Sequence, residues 1–408
     1  MSRHTSRRSL LDESHVLSSR HRLVSARNEV LVLSTPDGPE RAYTDLMSAY
    51  GAVNFGHANP DITASADEPA DLAGCFYPPE ADEVADWLCA RLNLPRHRVL
   101  FQVGGSFAVS TALALARRAR AGRILAMEGS FHGLGQDTLA VTGIQHALAL
   151  QAGPGVTRLG EDVDFLKPGS PPPDWSLYSC LLFEPVQGAN GYVPLERAWL
   201  ADLAAGAREA GVIVVADEVQ SGFHRHGPLS VARAWGLTPD VLLFGKSLTN
   251  GLYPLSAVVH DEALEGPHTD PGVRLAHTFQ TGVPGYRAAA AVTRWLDSTP
   301  VADLAAGVHR ALRDAADRLS PLPEVRGVHL TGPTLSFEVL GGRGPRAVRR
   351  AFEDGVVAFV GGPASERVRV APPLTIPPAR LEAALAVLVA AVKATTGPTT
   401  GPTTDPTR

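Results

Sequence analysis

Three stretches hold residue types and spacings that could act on one ligand. In "DVLLFGKSLTNG" (240–251), Lys246 follows an apolar run and a glycine. It is one of three lysines among 408 residues; Lys167 lies in the proline-rich "LKPGSPPPD" and Lys393 beside a polar tail. A lysine amine that is desolvated, or set near another cation, becomes a nucleophile suited to Schiff-base chemistry. The bland alternatives are a salt-bridge partner or a snorkelling side chain. In "VVADEVQSGFHRHG" (214–227), the acidic pair Asp217–Glu218 ends a second apolar run, with Asp217 29 residues before Lys246. A carboxylate at a buried strand end is costly without a waiting partner. The pair therefore reads as a buried ion pair, a helix cap or a functional acid. In "VGGSFAVSTALALARR" (103–118), Gly104, Gly105 and Ser106 lead into an amphipathic helix. Glycines admit a ligand close to the backbone and a helix start offers free N–H groups to a phosphate, although the same pattern also makes an ordinary turn and cap. One cofactor satisfies all three stretches. Its phosphate would sit on the helix start, its pyridine nitrogen beside Asp217 and its aldehyde at Lys246, which describes pyridoxal phosphate.

These residues need elements that bring them to one edge. Between 123 and 260, the apolar runs "RILAME", "LYSCLLFEPV", "VIVVADEV", "DVLLFGK" and "PLSAVVH" alternate with helical patterns, and helices are expected at Ser106–Arg120 and Arg197–Ala210. Runs without period-two alternation suit strands of a sheet covered on both faces. The expectation is an α/β large domain on a mostly parallel sheet, where ligands gather at the carboxyl ends of the strands. After it come a long helical stretch near 284–319, "VRGVHLTG", "TLSFEVL", a helix near 345–355, "RVRVAPPL" and a closing helix at 377–393. These read as a smaller α+β domain. The expected division is an N-terminal arm at 1–28, partly disordered; a first part of the small domain at 29–55; the large domain at 56–290; and the rest of the small domain at 291–394. The tail at 395–408, "TTGPTTGPTTDPTR", is a low-complexity repeat expected to be disordered.

Composition removes several classes. A hydrophobic content of 44% in a chain this long is enough for a large core. A net charge of −5 gives no sign of a nucleic-acid partner. No run of 18 apolar residues suggests a membrane helix, and the basic, polar start lacks the apolar stretch of a signal peptide. Cys75, Cys89 and Cys180 are odd in number and widely spaced. They read as reduced core thiols of a cytoplasmic protein, not as a disulfide or metal site.

The motifs, taken together, resemble the class III aminotransferases of fold type I, the ornithine and acetylornithine aminotransferase group. The resemblance runs over roughly residues 30–390, through "YTDLMSAYGAVNFGHANPDI", "GGSFAVSTALALARR", "SFHG", "FEPVQGANGYVP", "DEVQSGFHRHG", "PDVLLFGKSLTNGLYPLSAVV", "HTFQTGVPGYRAAAA" and "VRVAPPLTI". It implies a fold type I large domain with a smaller α+β domain, pyridoxal 5'-phosphate as cofactor, and small amino and carbonyl compounds as substrates. It also implies a homodimer whose active site is shared. By the resemblance, Lys246 is the Schiff-base lysine and proton shuttle, and Asp217 keeps the pyridine nitrogen protonated. Val219 and Phe131 would cover the two ring faces, and Gln220 would lie near the ring hydroxyl. Gly105 and Ser106 would hold the phosphate, His132 and Glu184 belong to the cofactor site, and Arg369 would meet a substrate carboxylate with its two-donor fork. A threonine from the neighbouring subunit completes the phosphate cup in the family; Thr278 is the expected counterpart and Thr281 the reserve.

Several positions depart from that pattern. Phe107 replaces a glutamate, Leu134 stands where glutamate-using members carry an arginine, and Ala189 replaces a glutamate that masks the carboxylate-binding arginine. His224 and His226 replace glycine and threonine, and are expected to be packing or surface residues. The stretch from Pro60 to Phe76, which helps line the substrate entrance in the family, looks shortened. The expected function is therefore transfer of an amino group between an amino acid or amine and a carbonyl acceptor, with a specialised substrate of secondary metabolism. The alternative is another reaction of the same cofactor: an aminomutase, racemase, elimination or carbon–carbon-bond-forming enzyme. A non-catalytic relative would have no reason to keep both Lys246 and Asp217.

Overall fold

The computed structural model describes residues 17, 21–35, 38–66, 71–76, 78–145, 161–265 and 275–396. Most of the expected arm and all of the tail beyond residue 396 lie outside them.

The strands, in chain order, are β1 (Arg22–Arg27), β2 (Val30–Ser34), β3 (Arg41–Asp45), β4 (His97–Gln102), β5 (Arg123–Met127), β6 (Val163–Leu166), β7 (Tyr178–Phe183), β8 (Val186–Gln187) and β9 (Val193–Pro194). They continue with β10 (Ile213–Asp217), β11 (Val241–Phe244), β12 (Ser256–Asp261), β13 (Val325–Leu330), β14 (Leu335–Val339), β15 (Val356–Val357), β16 (Phe359–Gly361) and β17 (Arg367–Val370). The longer helices are α1 (Pro79–Leu92), α2 (Gly104–Ala119), α3 (Arg197–Glu209), α4 (Val283–Ser298), α5 (Val301–Leu319), α6 (Gly344–Glu353) and α7 (Pro378–Thr396).

Seven strands form the central sheet in the order β4-β12-β11-β10-β7-β5-β6. β10 runs parallel to β11 and β7, and β5 parallel to β7 and β6; β12 alone is antiparallel to both its neighbours, β11 and β4. The expected mostly parallel α/β sheet is thus present. The continuous apolar strands have the expected cause. Ile124, Ala126, Cys180, Leu182, Val215, Leu243 and Val258 face α2, whose Ala108, Val109, Ala112, Leu115 and Ala116 complete one core layer. Their alternate neighbours Leu125, Met127, Leu181, Phe183, Val214, Ala216, Leu242 and Val259 join the layer on the opposite face, with α1, α3 and α4. Both faces are buried, so both sets must be apolar.

A second, four-stranded sheet has the order β13-β14-β17-β16, and a third the order β1-β2-β3-β15. The last strand of that third sheet, β15, joins β3 from more than three hundred residues further along the chain. Segment 48–57 then crosses to the central sheet, where Asn54 Nδ2 donates to the Phe223 carbonyl and Asn250 Nδ2 to the Gly56 carbonyl.

Some expectations needed correcting. The stretch near 284–319 is two helices, because Pro300 breaks the ladder between α4 and α5. "LYSCLLFEPV" is also two strands: Pro185 ends β7, and β8 pairs with β9 in a separate ribbon. Helix α2 begins at Gly104, ahead of the expected Ser106. Residues 22–27 of the expected arm form β1, paired with β2. Cys180 is buried and Cys89 half-buried, but Cys75 is exposed and not a core thiol.

Candidate active site

Asp217 ends β10 and Lys246 follows β11, so the parallel pairing Ala216↔Leu242 and Asp217↔Leu243 brings them to one edge of the sheet. Lys246 opens a buried 3₁₀ turn (Lys246–Thr249) with a φ of 45°, a left-handed conformation that is strained for a side-chain-bearing residue. Burial pushes its amine down to about 8, against the opposing pull of the Glu184 and Asp217 carboxylates; Arg369 adds to the lowering. A far larger share of the amine is therefore neutral and nucleophilic near physiological pH than for an exposed lysine.

The acidic pair divides its work. Asp217 Oδ2 lies 2.7 Å from His132 Nδ1, and Asp217 Oδ1 accepts the Val219 N–H at 3.1 Å. Glu218 turns the other way and caps the short helix Val231–Ala234, accepting from the N–H groups of Val231 (2.6 Å) and Ala232 (3.1 Å) and from the Ser230 hydroxyl. The helix-cap reading was right for Glu218 alone.

Glu184, just past β7, is gripped by the backbone. Its Oε1 accepts the Phe131 N–H at 2.7 Å and its Oε2 the Gly188 N–H at 3.1 Å, while burial raises its carboxyl to about 7. A Cβ on Gly188 would stand 1.5 Å from Gln220 Oε1, so a side chain there has to move the Gln220 amide. Gln220 Nε2 donates to the Tyr50 carbonyl at 2.9 Å. Tyr50 lies in a left-handed turn, Ser48–Gly51, with four successive positive φ values of 49°, 47°, 60° and 77°. Such a turn needs outside support. Ser48 Oγ supplies it by donating to the Ala371 carbonyl, and Ser247 Oγ by donating to the Gly51 carbonyl, both at 2.8 Å.

The residues present fit pyridoxal phosphate. Helix α2 has no side-chain cap at its start, so its first N–H groups are free for a phosphate. A Cβ on Gly105 would sit 2.9 Å from Val219 Cγ1, so only glycine lets the helix start approach Val219. The Ser106 hydroxyl lies against Gly133, where an added Cβ would strike it at 2.2 Å. Two buried atoms of the site, Gln220 Oε1 and His132 Nε2, have no hydrogen-bond partner among the described residues. Buried polar atoms of this kind call for one.

Arg369 reaches the site from β17. Its Nε donates to the Val360 carbonyl and its Nη1 to the Gly188 carbonyl, at 3.0 and 3.1 Å. Thr278 is exposed, in the turn Thr278–Thr281, and the side chain of Thr281 lies outside the described residues. Phe107 and Leu134 are exposed, at 56% and 61%. His224 Nδ1 lies 2.8 Å from the Gly227 carbonyl within its own turn, and His226 is buried. Tyr50, Tyr192 and Phe359 join the surroundings of Arg369 without a motif in the sequence to mark that role. For Tyr50 a signal existed, because it stands in the quoted "SAYG" with glycine next to it.

The chain matches the model of the aminotransferase class-III family over residues 17–165 and 178–392. Acetylornithine aminotransferase of Gloeobacter violaceus is 29% identical, covering 92% of this chain and 95% of its own. The 5-aminovalerate aminotransferase of Pseudomonas aeruginosa is 27% identical, covering 90% and 93%. Among solved structures, the ornithine aminotransferase of Toxoplasma gondii superposes with a TM-score of 0.79 at 19% identity, covering 92% and 91%; that likeness concerns the fold. The chain belongs to the class III aminotransferases, pyridoxal-phosphate enzymes of fold type I.

Proposed function

We propose that this enzyme moves an amino group between an amino acid or amine and a carbonyl acceptor, with Lys246 as attachment amine and proton carrier. The half-buried position of Lys246, with Glu184, Asp217 and Arg369 near its amine at the carboxyl edge of the sheet, carries the reading. When bound, pyridoxal phosphate supplies an electron sink for the bond broken at the substrate's amine-bearing carbon. Asp217, fixed by His132, holds a proton on the pyridine nitrogen. Val219 and Phe131 cover the ring faces, and Gln220 offers its unpartnered oxygen toward the ring hydroxyl. Glu184 fixes the Phe131 and Gly188 backbone on either side. Gly105 and Ser106 hold the phosphate at the start of α2, and Thr278 of a second copy completes that cup in a cytoplasmic homodimer. Lys246 would hold the cofactor through its amine and would move the proton at the substrate's amine-bearing carbon. Arg369 receives a substrate carboxylate. Phe107, Leu134 and Ala189, in place of the family's charged residues, support a specialised, secondary-metabolism substrate.

The test begins with colour. The purified protein is expected to absorb in the visible, borohydride to fix the cofactor covalently, and Lys246→Ala to lose both properties. Incubation with a panel of amino donors should then yield the pyridoxamine form. A colourless protein that takes up no cofactor sinks the proposal. Coloured protein that gives no pyridoxamine with any donor, but eliminates or racemises one, replaces transamination with another reaction of the same cofactor.

A further inference from the structure

Arg369 is held in an unusual way. Two of its nitrogens donate to carbonyls, while Nη2 has no protein partner among the described residues and is not one of the buried unpartnered atoms, so it opens onto accessible space. Among the described residues no carboxylate lies within ion-pair distance of the guanidinium. The planar group sits instead by two rings, with the Tyr192 centroid at 5.6 Å and that of Phe359 at 5.7 Å.

The two rings arrive by different routes. Phe359 pairs directly with Arg369 across β16 and β17, so register puts both side chains on one face of the sheet. Tyr50 packs edge-on against Phe359 at 5.3 Å. Tyr192, by contrast, comes from the loop joining β8 and β9 with a φ of 56°, a left-handed conformation that disfavours a side-chain-bearing residue. It is nonetheless 2% exposed, and the surrounding structure keeps it there. Behind it stands His226, edge-on at 5.6 Å and 66°. His226 Nδ1 lies 2.8 Å from Thr334 Oγ1 and 3.2 Å from the Thr331 carbonyl, which anchors the ring. Burial and the neighbouring Arg225 push His226 down to about 3, so it supports Tyr192 without adding a charge near Arg369.

We propose that Tyr192 is a positioning residue that, together with Phe359, holds the Arg369 guanidinium in one plane with its Nη2 edge toward the substrate space, so that the substrates present a carboxylate or another planar anion there. The inference rests on the reading of Arg369 as the substrate-anion group. Carbonyls and ring faces fix a guanidinium without neutralising it. An arriving anion therefore has no internal carboxylate to displace, and little side-chain freedom is lost on binding.

The test is calorimetric titration of the holoenzyme with unreactive carboxylates, from acetate to adipate, using the tightest binder of the unmodified protein. Arg369→Gln is expected to abolish binding. Tyr192→Leu should weaken it about tenfold and Tyr192→Phe by no more than about twofold, because the phenyl face remains. All three should keep the cofactor content of the parent, a result that a general structural role for Tyr192 would not give. If Tyr192→Leu loses the cofactor, Phe359→Leu carries the same tenfold expectation from the opposite face. If Arg369→Gln abolishes binding while the leucine variants bind like the parent, the positioning role is overturned and the reading of Arg369 stands. Equal losses in Tyr192→Phe and Tyr192→Leu also overturn it, since the hydroxyl would then be the active part. Parent-like binding by Arg369→Gln, or no binding by the parent, overturns both.

Discussion

Lys246 and Asp217 stand at the ends of adjacent parallel strands, held by a register that the apolar runs themselves dictate. Arg369 stands on a different sheet, and the groups around it come from β16, the β8–β9 loop and the turn after Asp217. One end of the site is local geometry on a single scaffold; the other is stitched from segments distant in sequence. The first kind tolerates little change in its own residues. The second depends on joints whose residues never touch a substrate.

The largest effect that tests this contrast belongs to the scaffold end. Asp217→Asn keeps the shape but loses the charge that faces His132 and the proposed pyridinium. The half-reaction with any accepted donor is expected to slow on the order of 10²-fold while carboxylate affinity stays at the parent value. Stopped-flow rates and the same calorimetry measure the two separately. A loss of affinity as large as the loss of rate would show that the two ends are not separable.

The pH dependence of Lys246 offers a second large effect. Its lowered value of about 8, from an ordinary 10.5, leaves roughly a tenth of the amine neutral at pH 7, against well under a thousandth for an exposed lysine. Uptake of pyridoxal phosphate by the apoprotein should accelerate as pH rises, with a midpoint near 8 and a plateau about one unit higher. A midpoint near 10.5 would mean that Lys246 is not desolvated in solution.

The same contrast explains what could be read from the sequence. "VVADE" and "DVLLFGK" revealed Asp217 and Lys246 because a buried strand has to be apolar along its length, and a charge at its end is conspicuous. The sheet itself was visible for that reason. Tyr192 and Phe359 gave no such mark: Phe359 in "VVAFV" has the composition of core and Tyr192 in "GANGY" that of a loop, and only the β16–β17 register and a left-handed loop turn them toward Arg369. Pro300 marks the split of α4 from α5, but the helical pattern resumes immediately after it and masks the break. Glu218 looked equivalent to Asp217, since adjacent residues on a strand have like composition but opposite directions.

Gly188 joins the two ends and supplies the third effect. Its N–H serves Glu184, its carbonyl serves Arg369, and Gln220 fills the space where a side chain would begin. Gly188→Ala must displace Gln220 or the loop, at about 1–3 kcal/mol by the usual cost of overpacking. Cofactor retention and carboxylate affinity should therefore fall together, by roughly tenfold or more each, measured as dissociation constants. A variant that lost only one would show that the peptide is not a shared joint.

The smallest effect is at His226, and it is read from stability. Thr replaces the ring in His226→Thr, removing its edge contact with Tyr192, and carboxylate affinity is expected to fall only about two- to threefold because the loop backbone still holds Tyr192. The sign of the pH effect is fixed by where the protons bind. An unfolded histidine titrates near 6.5, whereas buried His226 titrates at about 3, so between those values the unfolded chain binds more protons and stability falls as pH falls. Each unit of pH through that window removes up to about 1.4 kcal/mol from the parent, an amount His226→Thr does not lose. Glu184 and Glu218, raised by burial to about 7, lean the opposite way in both proteins, so the difference between parent and variant isolates the histidine. Denaturant midpoints at pH 7.5 and 5.0 should converge as pH falls, with the parent losing its advantage. Parallel curves would mean that His226 takes up a proton in the folded state, and a charged ring behind Tyr192 would then push against Arg369 rather than steady it.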